Sequence, residues 1–354
     1  MRVAVLGVGL IGGSVGLAAA ARLGADVVGW DPDAGALARA AEKGAVGHRS
    51  PSLEEAVRGA NAVVVAAPVG VLADVVAAAL AASDNQAVVT DVGSTKRGVV
   101  AAHPHPRFVG GHPLAGAETA GVEHAREDLF DGATWYLTPT ATTSGVHFER
   151  LHRFVSGLGA RPQALDANRH DALLAAVSHL PHVLANVLVA QAAQVTAEDP
   201  VPAAGPSFRD ATRVAGASSA IWRDIYLSNA DVLVERIDDT VARLTTVRDA
   251  LAARDGERIT AWNDGAREDR RTLLEAGLTG GPVHELRIRV SDQPGVIASL
   301  ALELGRAGVN ITDMALYPAP DGRSGSVALW IAGDAPAARA QELVGGLGFT
   351  VARP

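Results

Sequence analysis

The sequence contains no cysteine among its 354 residues, and its only lysines are Lys43 and Lys96. The absence of cysteine excludes disulfides, thiolate metal sites and cysteine nucleophiles together, and it is typical of a cytoplasmic protein. Because acidic residues outnumber basic ones, the formal net charge is −8, which provides no general basic field for a nucleic acid. We therefore expect a cytoplasmic protein whose partners do not include nucleic acid.

Charge is also missing from residues 3–21, a run that has the length of a signal peptide or a marginal membrane span. Its glycine content argues against both interpretations, since each glycine in a helix interior costs about 1 kcal/mol. The run also leads directly into a second predicted strand. We therefore expect neither export nor a membrane partner.

The same run is typical of a strand, a glycine turn and a helix. Gly7 makes the tight turn after the strand, Gly9 lets the backbone approach a pyrophosphate, and Gly12 lets the helix pack close to the strand. The helix N-terminus directs free N–H groups at the phosphates. A second apolar run ends at Asp31, an acid suited to bind the ribose hydroxyls of NAD and to repel the 2′-phosphate of NADP. We predict a NAD site that includes Gly7, Gly9, Leu10, Ile11, Gly12 and Asp31.

Two further apolar runs, residues 61–66 and 87–91, are typical of strands buried on both faces of a parallel sheet, and a helical stretch follows each of them. The carboxyl ends of such strands form the cofactor crevice. Residues at or after these ends complete the predicted cofactor site: Ala67, Pro68, Asp91 and Ser94. The pattern predicts an α/β fold whose first domain, residues 1–167, is a Rossmann domain.

The β pattern vanishes over residues 168–279, where long helical periodicity runs through 173–195 and 221–254. We predict an all-helical domain that binds substrate. Its helices are more apolar than one small helical domain can cover, so we expect burial against a second subunit in a homodimer.

The pattern changes again after a predicted linker at residues 279–282. Residues 283–354 show strands and helices in the order βαββαβ, which predicts a compact ferredoxin-like module. The sheet edges of such a module are usually paired or covered, so we expect two copies to associate across the dimer.

Two histidine motifs and one arginine motif contain candidate catalytic, metal-binding or substrate-binding residues. The segment Gly110-Gly111-His112-Pro113 predicts a loop in which proline restrains the imidazole, and a neutral imidazole there is suited to accept a hydroxyl proton. The segment Ser178-His179-Leu180-Pro181-His182 predicts a helix kinked at Pro181, and because no third ligand follows at a recognisable spacing, we predict no metal site. The arginines on either side of Asp210 suit an anionic substrate.

Taken together and in this order, the motifs resemble the prephenate dehydrogenase family of tyrosine biosynthesis. They are Gly-x-Gly-Leu-Ile-Gly-Gly-Ser at 7–14, Asp-Val-Gly-Ser-x-Lys at 91–96, Gly-x-His-Pro-x-x-Gly-x-Glu at 110–118, Ser-His-Leu-Pro-His at 178–182 and Phe-Arg-Asp-x-Thr-Arg at 208–213. The resemblance covers residues 1–275 and implies that His112 accepts the proton of the substrate ring hydroxyl, that Ser94 hydrogen-bonds the same hydroxyl, and that Arg213 binds the ring carboxylate. The remaining residues implied to contact substrate are Glu118, Ser178, His182, Asp210 and Trp222.

The reaction that the resemblance implies is the NAD-dependent oxidative decarboxylation of prephenate to 4-hydroxyphenylpyruvate. Arogenate dehydrogenase, which acts on the analogue with an amino group in place of the side-chain keto group, stays open as an alternative. A NAD-binding amino-acid sensor without turnover is disfavoured by the complete set of His112, Ser94 and Arg213. A β-hydroxyacid dehydrogenase would be expected to depend on a helix lysine, and the predicted helical domain contains none.

The C-terminal module resembles an ACT regulatory domain. This resemblance implies an amino-acid effector, with tyrosine preferred as the product-like ligand. We expect the effector to contact the start of the first helix of the module and the start of its second strand. The residues concerned are Asp292, Pro294, Gly295, Asn310 and Ile311.

Overall fold

A computed structural model describes residues 1–116, 119–197, 205–275, 282–291, 293–319 and 324–352. Its strands are β1 Arg2–Leu6, β2 Asp26–Trp30, β3 His48–Arg49, β4 Ala62–Val65, β5 Val88–Asp91, β6 Phe108–Pro113, β7 Thr134–Thr138, β8 Arg161–Ala164, β9 Val283–Ser291, β10 Ile311–Pro318, β11 Ser324–Ala332 and β12 Val351–Ala352. Its α-helices are α1 Leu10–Leu23, α2 Ala34–Glu42, α3 Leu53–Val57, α4 Val69–Ala82, α5 Arg97–Ala102, α6 Gly145–Gly157, α7 Ala167–Leu174, α8 Leu180–Thr196, α9 Pro206–Thr212, α10 Ser219–Ser228, α11 Ala230–Ala252, α12 Gly256–Glu275, α13 Val296–Arg306 and α14 Asp334–Gly346.

The first eight strands form one sheet in the order β3-β2-β1-β4-β5-β6-β7-β8. All neighbouring strands are parallel except β6 and β7, which are antiparallel. The strands β4 and β5 are buried along their whole length, as the continuous apolar runs predict. The Rossmann architecture is confirmed, and the strand order reverses between β1 and β4, where such sheets bind their ligands.

The helical part differs from the predicted pattern at two places. A π-helical turn, Ala175–His179, separates α7 from α8 and lies directly before Pro181, which relieves the clash of the proline ring with the preceding turn. The predicted helical stretch over 221–254 is divided into two helices, α10 and α11, by a break at Asn229. The side-chain amide of Asn229 donates to the carbonyl of Asp171 at 2.8 Å, so a tertiary contact sets this break.

The helical run Ala167–Thr196 is apolar and 30 residues long, which is long enough to cross a membrane by length and composition alone. Only 28% of its most apolar window is buried in the chain. A helix of a soluble protein whose apolar face lies against another subunit has the same properties, so the run does not by itself indicate a membrane protein.

The C-terminal strands form a second sheet in the order β10-β11-β9-β12, and α13 and α14 complete the element order βαββαβ. Except for Pro282, the predicted linker at 279–282 lies outside the described residues. The module packs tightly on the first domain: the Gly295 N–H donates to the Thr143 carbonyl at 3.2 Å. A side chain at Gly305 would overlap the backbone carbonyl of Ala164.

A buried histidine lies between these two parts of the chain. His152 on α6 is 2% exposed, and its Nε2 lies 3.3 Å from the Ile311 carbonyl oxygen at the start of β10. Burial lowers the pKa of His152 from 6.5 to about 4. The protonated imidazole is therefore disfavoured in the folded chain.

This shift predicts a pH-dependent loss of stability. Because the folded-state pKa of His152 lies below its unfolded value, the unfolded chain binds the proton more tightly, and the contribution to stability is complete above about pH 6.5 and is lost as the pH falls towards 4. We expect urea unfolding between pH 7 and 5 to show a smaller slope of unfolding free energy against pH for His152→Leu, by up to about 1.4 kcal/mol per pH unit. The exposed His124, replaced by leucine, is the control. Equal slopes for His152→Leu and wild type would contradict the lowered pKa of His152 in the folded chain.

Candidate active site

One cleft of about 710 Å³ lies at the carboxyl ends of the strands, between the first sheet and the helical domain. The glycine turn after β1, the loops after β4 and β5 and the end of β6 line one side. The π-helical turn, the segment after α9 and the first half of α10 line the other. The lining residues include Gly9, Ala67, Ser94, His112, Ser178, His179, Arg213 and Trp222.

The glycine turn has the geometry that a dinucleotide requires. Gly7 has φ +94°, a conformation that side chains rarely adopt, and a side chain at Gly12 would overlap the Gly7 carbonyl. A Cβ added to Gly9 would meet no atom within 4 Å, so the backbone there is open to a ligand. Leu10, Ile11, Gly12, Ala67 and Pro68 also line the cleft, as predicted.

Asp31 lies at the end of β2, beside the glycine turn. Its carboxylate accepts the backbone N–H groups of Val8 and Asp33, each at 2.9 Å. These bonds hold the carboxylate at the place where an adenosine ribose is bound in such folds. The glycine turn and the fixed acid together fit a NAD molecule.

The position of Asp91 differs from the prediction that this residue contacts the cofactor. It is completely buried and forms an ion pair with Lys96, which is also completely buried. Its carboxylate also accepts the N–H groups of Gly93 at 2.8 Å and Gly111 at 3.1 Å. A buried ammonium group requires a buried counter-charge, so Asp91 holds the loop that carries Ser94 and does not line the cleft.

His112 is also placed differently from the prediction, because it belongs to strand β6 and not to a loop. It pairs with Tyr136 on β7 and is 9% exposed at the cleft. Side chains at Gly110 and Gly111 would overlap Thr138 and the Asp91 carbonyl, respectively. The glycines therefore serve close packing within the sheet, and the imidazole is held by regular secondary structure.

Two residues behind His112 were not predicted from the sequence. The Nδ1 atom of His112 lies 2.9 Å from Nε2 of His170, and Nδ1 of His170 lies 2.7 Å from Oδ1 of Asp171. His170 and Asp171 are fully buried on α7. In the sequence, the available signal for these two site residues was their position next to each other at the start of the helical domain. However, 58 residues separate His170 from His112, so only the fold shows their contact.

The surroundings keep both imidazoles neutral. Burial, with the nearby His170, Lys96 and His179, holds the pKa of His112 well below its usual value. Burial also lowers the pKa of His170, although its hydrogen bond with Asp171 acts in the opposite direction. Burial raises the pKa of Asp171, but hydrogen bonds from His170 and from backbone N–H groups outweigh it, so the net shift is downwards and this carboxyl stays ionised.

The predicted substrate residues separate into two groups. Ser178, Arg213 and Trp222 line the cleft. His182 lies behind Trp222, stacked on its ring with centroids 3.6 Å apart, and it forms a hydrogen bond with Tyr226. Asp210 is exposed on α9 and does not line the cleft, while Glu118 lies outside the described residues.

His179 is a further residue of the cleft that was not predicted as a site residue. It is 1% exposed, and its Nδ1 lies 3.3 Å from the side-chain nitrogen of Asn229. Burial lowers the pKa of His179 to about 4, so it is neutral. Within the described ranges, no group of three or more histidine or acidic side chains could hold a metal ion.

The predicted effector residues do not form one site within the chain. Pro294 lines a cavity of about 150 Å³ between the C-terminal module and the start of α6, but the Gly295 N–H, one of the groups predicted to meet the effector, donates to the Thr143 carbonyl instead. Asn310 and Ile311 follow the other end of α13, a helix about 16 Å long at 1.5 Å per residue. Asp292 lies outside the described residues.

Two family models match most of the first 263 residues, and one known protein matches nearly the whole chain. The model described as the prephenate dehydrogenase nucleotide-binding domain matches residues 18–163, and the prephenate dehydrogenase dimerization domain matches residues 166–263. A prephenate dehydrogenase of Bacillus subtilis is 32% identical over 349 residues, which are 96% of this chain and 94% of that protein. A cyclohexadienyl dehydrogenase of Zymomonas mobilis is 33% identical over 264 residues, 72% of this chain and 90% of that protein. The crystal structure of prephenate dehydrogenase from A. aeolicus, in complex with hydroxyphenyl propionate and NAD+, is similar with a TM-score of 0.70 at 26% identity, and the match covers 77% of this chain and 98% of that chain.

Proposed function

The chain belongs to the prephenate dehydrogenase family, and we propose that it is an NAD-dependent enzyme that converts prephenate to 4-hydroxyphenylpyruvate, CO₂ and NADH. The observation that carries the proposal is the position of His112, a nearly buried, neutral imidazole at a cleft that also contains the glycine turn and Arg213. The reaction needs a base, a hydride acceptor and a carboxylate clamp in one cavity. This cleft brings together residues suited to all three roles.

The proposed roles of the residues follow from their chemistry. NAD+ bound at the glycine turn and Asp31 supplies the acceptor for the hydride that leaves the substrate ring. His112 takes the proton of the ring hydroxyl, and Ser94 hydrogen-bonds the same oxygen. Arg213 binds the ring carboxylate, which leaves as CO₂ when the ring becomes aromatic. Because aromatisation drives the reaction, the protein mainly provides orientation and one base.

The substrate assignment is tested by measuring NADH formation from prephenate and from arogenate in parallel. We expect turnover with prephenate and a kcat/KM at least tenfold lower with arogenate. A preference for arogenate would make the chain an arogenate dehydrogenase. NADH formation from neither compound would favour the amino-acid sensor without turnover.

Asp31 is proposed to set the choice between NAD and NADP. Asp31→Ser removes the carboxylate that binds the ribose hydroxyls and repels a 2′-phosphate. We expect the ratio of kcat/KM values for NAD over NADP to fall at least tenfold. Asp33→Ser, which removes an exposed carboxylate two residues away, is the matched control. A wild-type enzyme that already prefers NADP would refute this role.

We propose three functional units: residues 1–167 for NAD, 168–279 for substrate and dimerisation, and 283–354 for regulation. The match to the first family model ends at residue 163 and the match to the second begins at residue 166, close to the first of these boundaries. A homodimer is supported by the matched dimerization domain and by the exposed apolar side chains of α8, among them Val187 and Leu188. The proposed cytoplasmic location is supported by the absence of cysteine.

The C-terminal module is proposed to be a ferredoxin-like ACT domain that binds an amino-acid effector. Its βαββαβ order and its sheet order support this interpretation. Because Gly295 is occupied and Asn310 is distant, the cavity of about 150 Å³ is the better candidate site. Its lining includes Ser144 from the first domain and Ser326 from the module, so a ligand there would contact both parts.

A substitution that fills this cavity tests the regulatory proposal. We expect tyrosine to inhibit the wild-type enzyme without competing with prephenate. Ser326→Phe should raise the half-inhibitory tyrosine concentration at least tenfold and leave kcat within a factor of about two. Ser299→Phe, on the exposed face of α13, is the control. Competitive inhibition that is unchanged in Ser326→Phe would place tyrosine at the active site instead.

A further inference from the structure

The chain of buried groups behind His112 carries an inference that rests on the proposed function of this histidine as the base. We propose that His170 and Asp171 are positioning residues that fix the proton of neutral His112 on Nδ1, so that Nε2 presents its lone pair to the cleft. Neither residue lines the cleft, so both act through His112.

The direction of each hydrogen bond follows from the group at the end of the chain. An ionised carboxylate only accepts, so Nδ1 of His170 donates to Asp171 across their 2.7 Å contact. A neutral His170 then has a bare Nε2, which must accept from Nδ1 of His112 across 2.9 Å. A neutral His112 that donates through Nδ1 has its lone pair on Nε2. The neutral state of both rings is supported by their lowered pKa values.

The carboxylate of Asp171 is itself held rigidly. Its Oδ1 accepts the Lys96 N–H at 2.8 Å, and its Oδ2 accepts the Arg97 N–H at 2.9 Å. The Arg97 side chain adds an ion pair to Oδ2 at 3.4 Å. The ring of His170 is fixed by its edge contact with Tyr136, with centroids 5.6 Å apart. Rotation of either group would therefore break several contacts at once.

The same carboxylate also connects the two groups proposed to meet the substrate hydroxyl. Asp171 accepts the backbone N–H groups of Lys96 and Arg97, two and three residues after Ser94, and it reaches His112 through His170. A single buried group thus positions both the base and the neighbouring hydroxyl. In catalysis the substrate O–H bond breaks and a bond from that proton to His112 Nε2 forms.

The positive charge that appears on His112 in this step requires compensation. The titratable groups around His112 include Lys96 and His179, which disfavour a positive charge there. Lys96 is paired with Asp91, and the negative charge of Asp171 is connected to Nδ1 of His112 through the His170 ring. Asp171 therefore stabilises the charged ring as well as its orientation.

The tautomer can be measured without substrate or cofactor. In the free full-length protein labelled with ¹⁵N-histidine, two-dimensional NMR distinguishes protonated from bare ring nitrogens. We expect His112 to carry its proton on Nδ1 in the wild type. In His170→Leu, which removes the acceptor for Nδ1, we expect the proton of His112 no longer to be confined to Nδ1.

Kinetic variants give an independent test. Asp171→Asn and His170→Leu should each lower kcat at least tenfold with less than a threefold change in NAD affinity. His170→Gln should recover most of the loss seen with leucine, because its amide can donate to Asp171 and accept from His112. A purely structural role would instead make kcat follow thermal stability in all three variants.

These readouts separate the inference from the proposed function. If the wild type does not oxidise prephenate, the proposed function fails, and the NMR experiment still decides the tautomer. A wild-type His112 with its proton on Nε2 would overturn the inference. It would also be overturned if His170→Leu and His170→Gln lost turnover equally at equal thermal stability.

Discussion

His112→Asn is expected to lower kcat by about 100-fold or more, the usual contribution of a positioned general base. Asparagine keeps a polar group on β6 but offers no nitrogen lone pair to the substrate hydroxyl. NAD affinity should change little, because the glycine turn and Asp31 that are proposed to bind NAD do not involve this side chain. Steady-state kinetics and NAD titration measure the two effects separately.

The exposed His124, replaced by asparagine, provides the matched control and should retain wild-type kinetics. Thermal unfolding of both variants shows whether the fold is intact. If His112→Asn keeps near wild-type turnover at neutral pH with prephenate saturating, His112 is not the base. His179, the other neutral histidine that lines the cleft, would then be the next candidate.

Arg213→Ala is expected to raise the KM for prephenate at least tenfold. A charge-assisted hydrogen bond to a carboxylate contributes about 1.5–3 kcal/mol, and every 1.4 kcal/mol is a factor of ten in affinity. Lysine at this position should give an intermediate KM, because it keeps the charge but loses the planar, bidentate geometry of the guanidinium group.

Arg248→Ala serves as the control for Arg213→Ala, because Arg248 is 71% exposed on α11 and pairs with the adjacent Asp249. It should leave the KM unchanged. An unchanged KM for Arg213→Ala would assign Arg213 to a structural role. A loss confined to kcat would instead mean that the guanidinium group acts only in the transition state.

Local patterns predicted much of the fold correctly. The glycine turn after β1 and the buried strands β4 and β5 have the positions expected from the sequence, and the helix α4 follows β4 as predicted. These elements depend on steric demands and apolar periodicity within short segments. The strands β6 and β8 were not predicted individually, because glycine, proline and polar residues within them obscure the strand pattern.

The candidate site was predicted only as a set of residue types. The sequence identified Ser94, His112 and Arg213, all of which line one cleft. It placed His112 in a loop, since two adjacent glycines before a His-Pro pair usually indicate flexibility. It assigned Asp91 to the cofactor, since nothing local shows that a buried Lys96 lies against it.

By itself, the sequence determined the Rossmann domain, the helical segment that follows it, the order of the C-terminal elements and the residue types that chemistry requires. The tertiary structure decided which of these residues meet. The contact of His112 with His170 spans 58 residues, and that of His152 with Ile311 spans 159. Such contacts depend on how whole elements pack, whereas turns, caps and periodicity depend on neighbours a few residues apart. For this reason the proposed base was predicted from the sequence, whereas the groups proposed to orient it were found only in the fold.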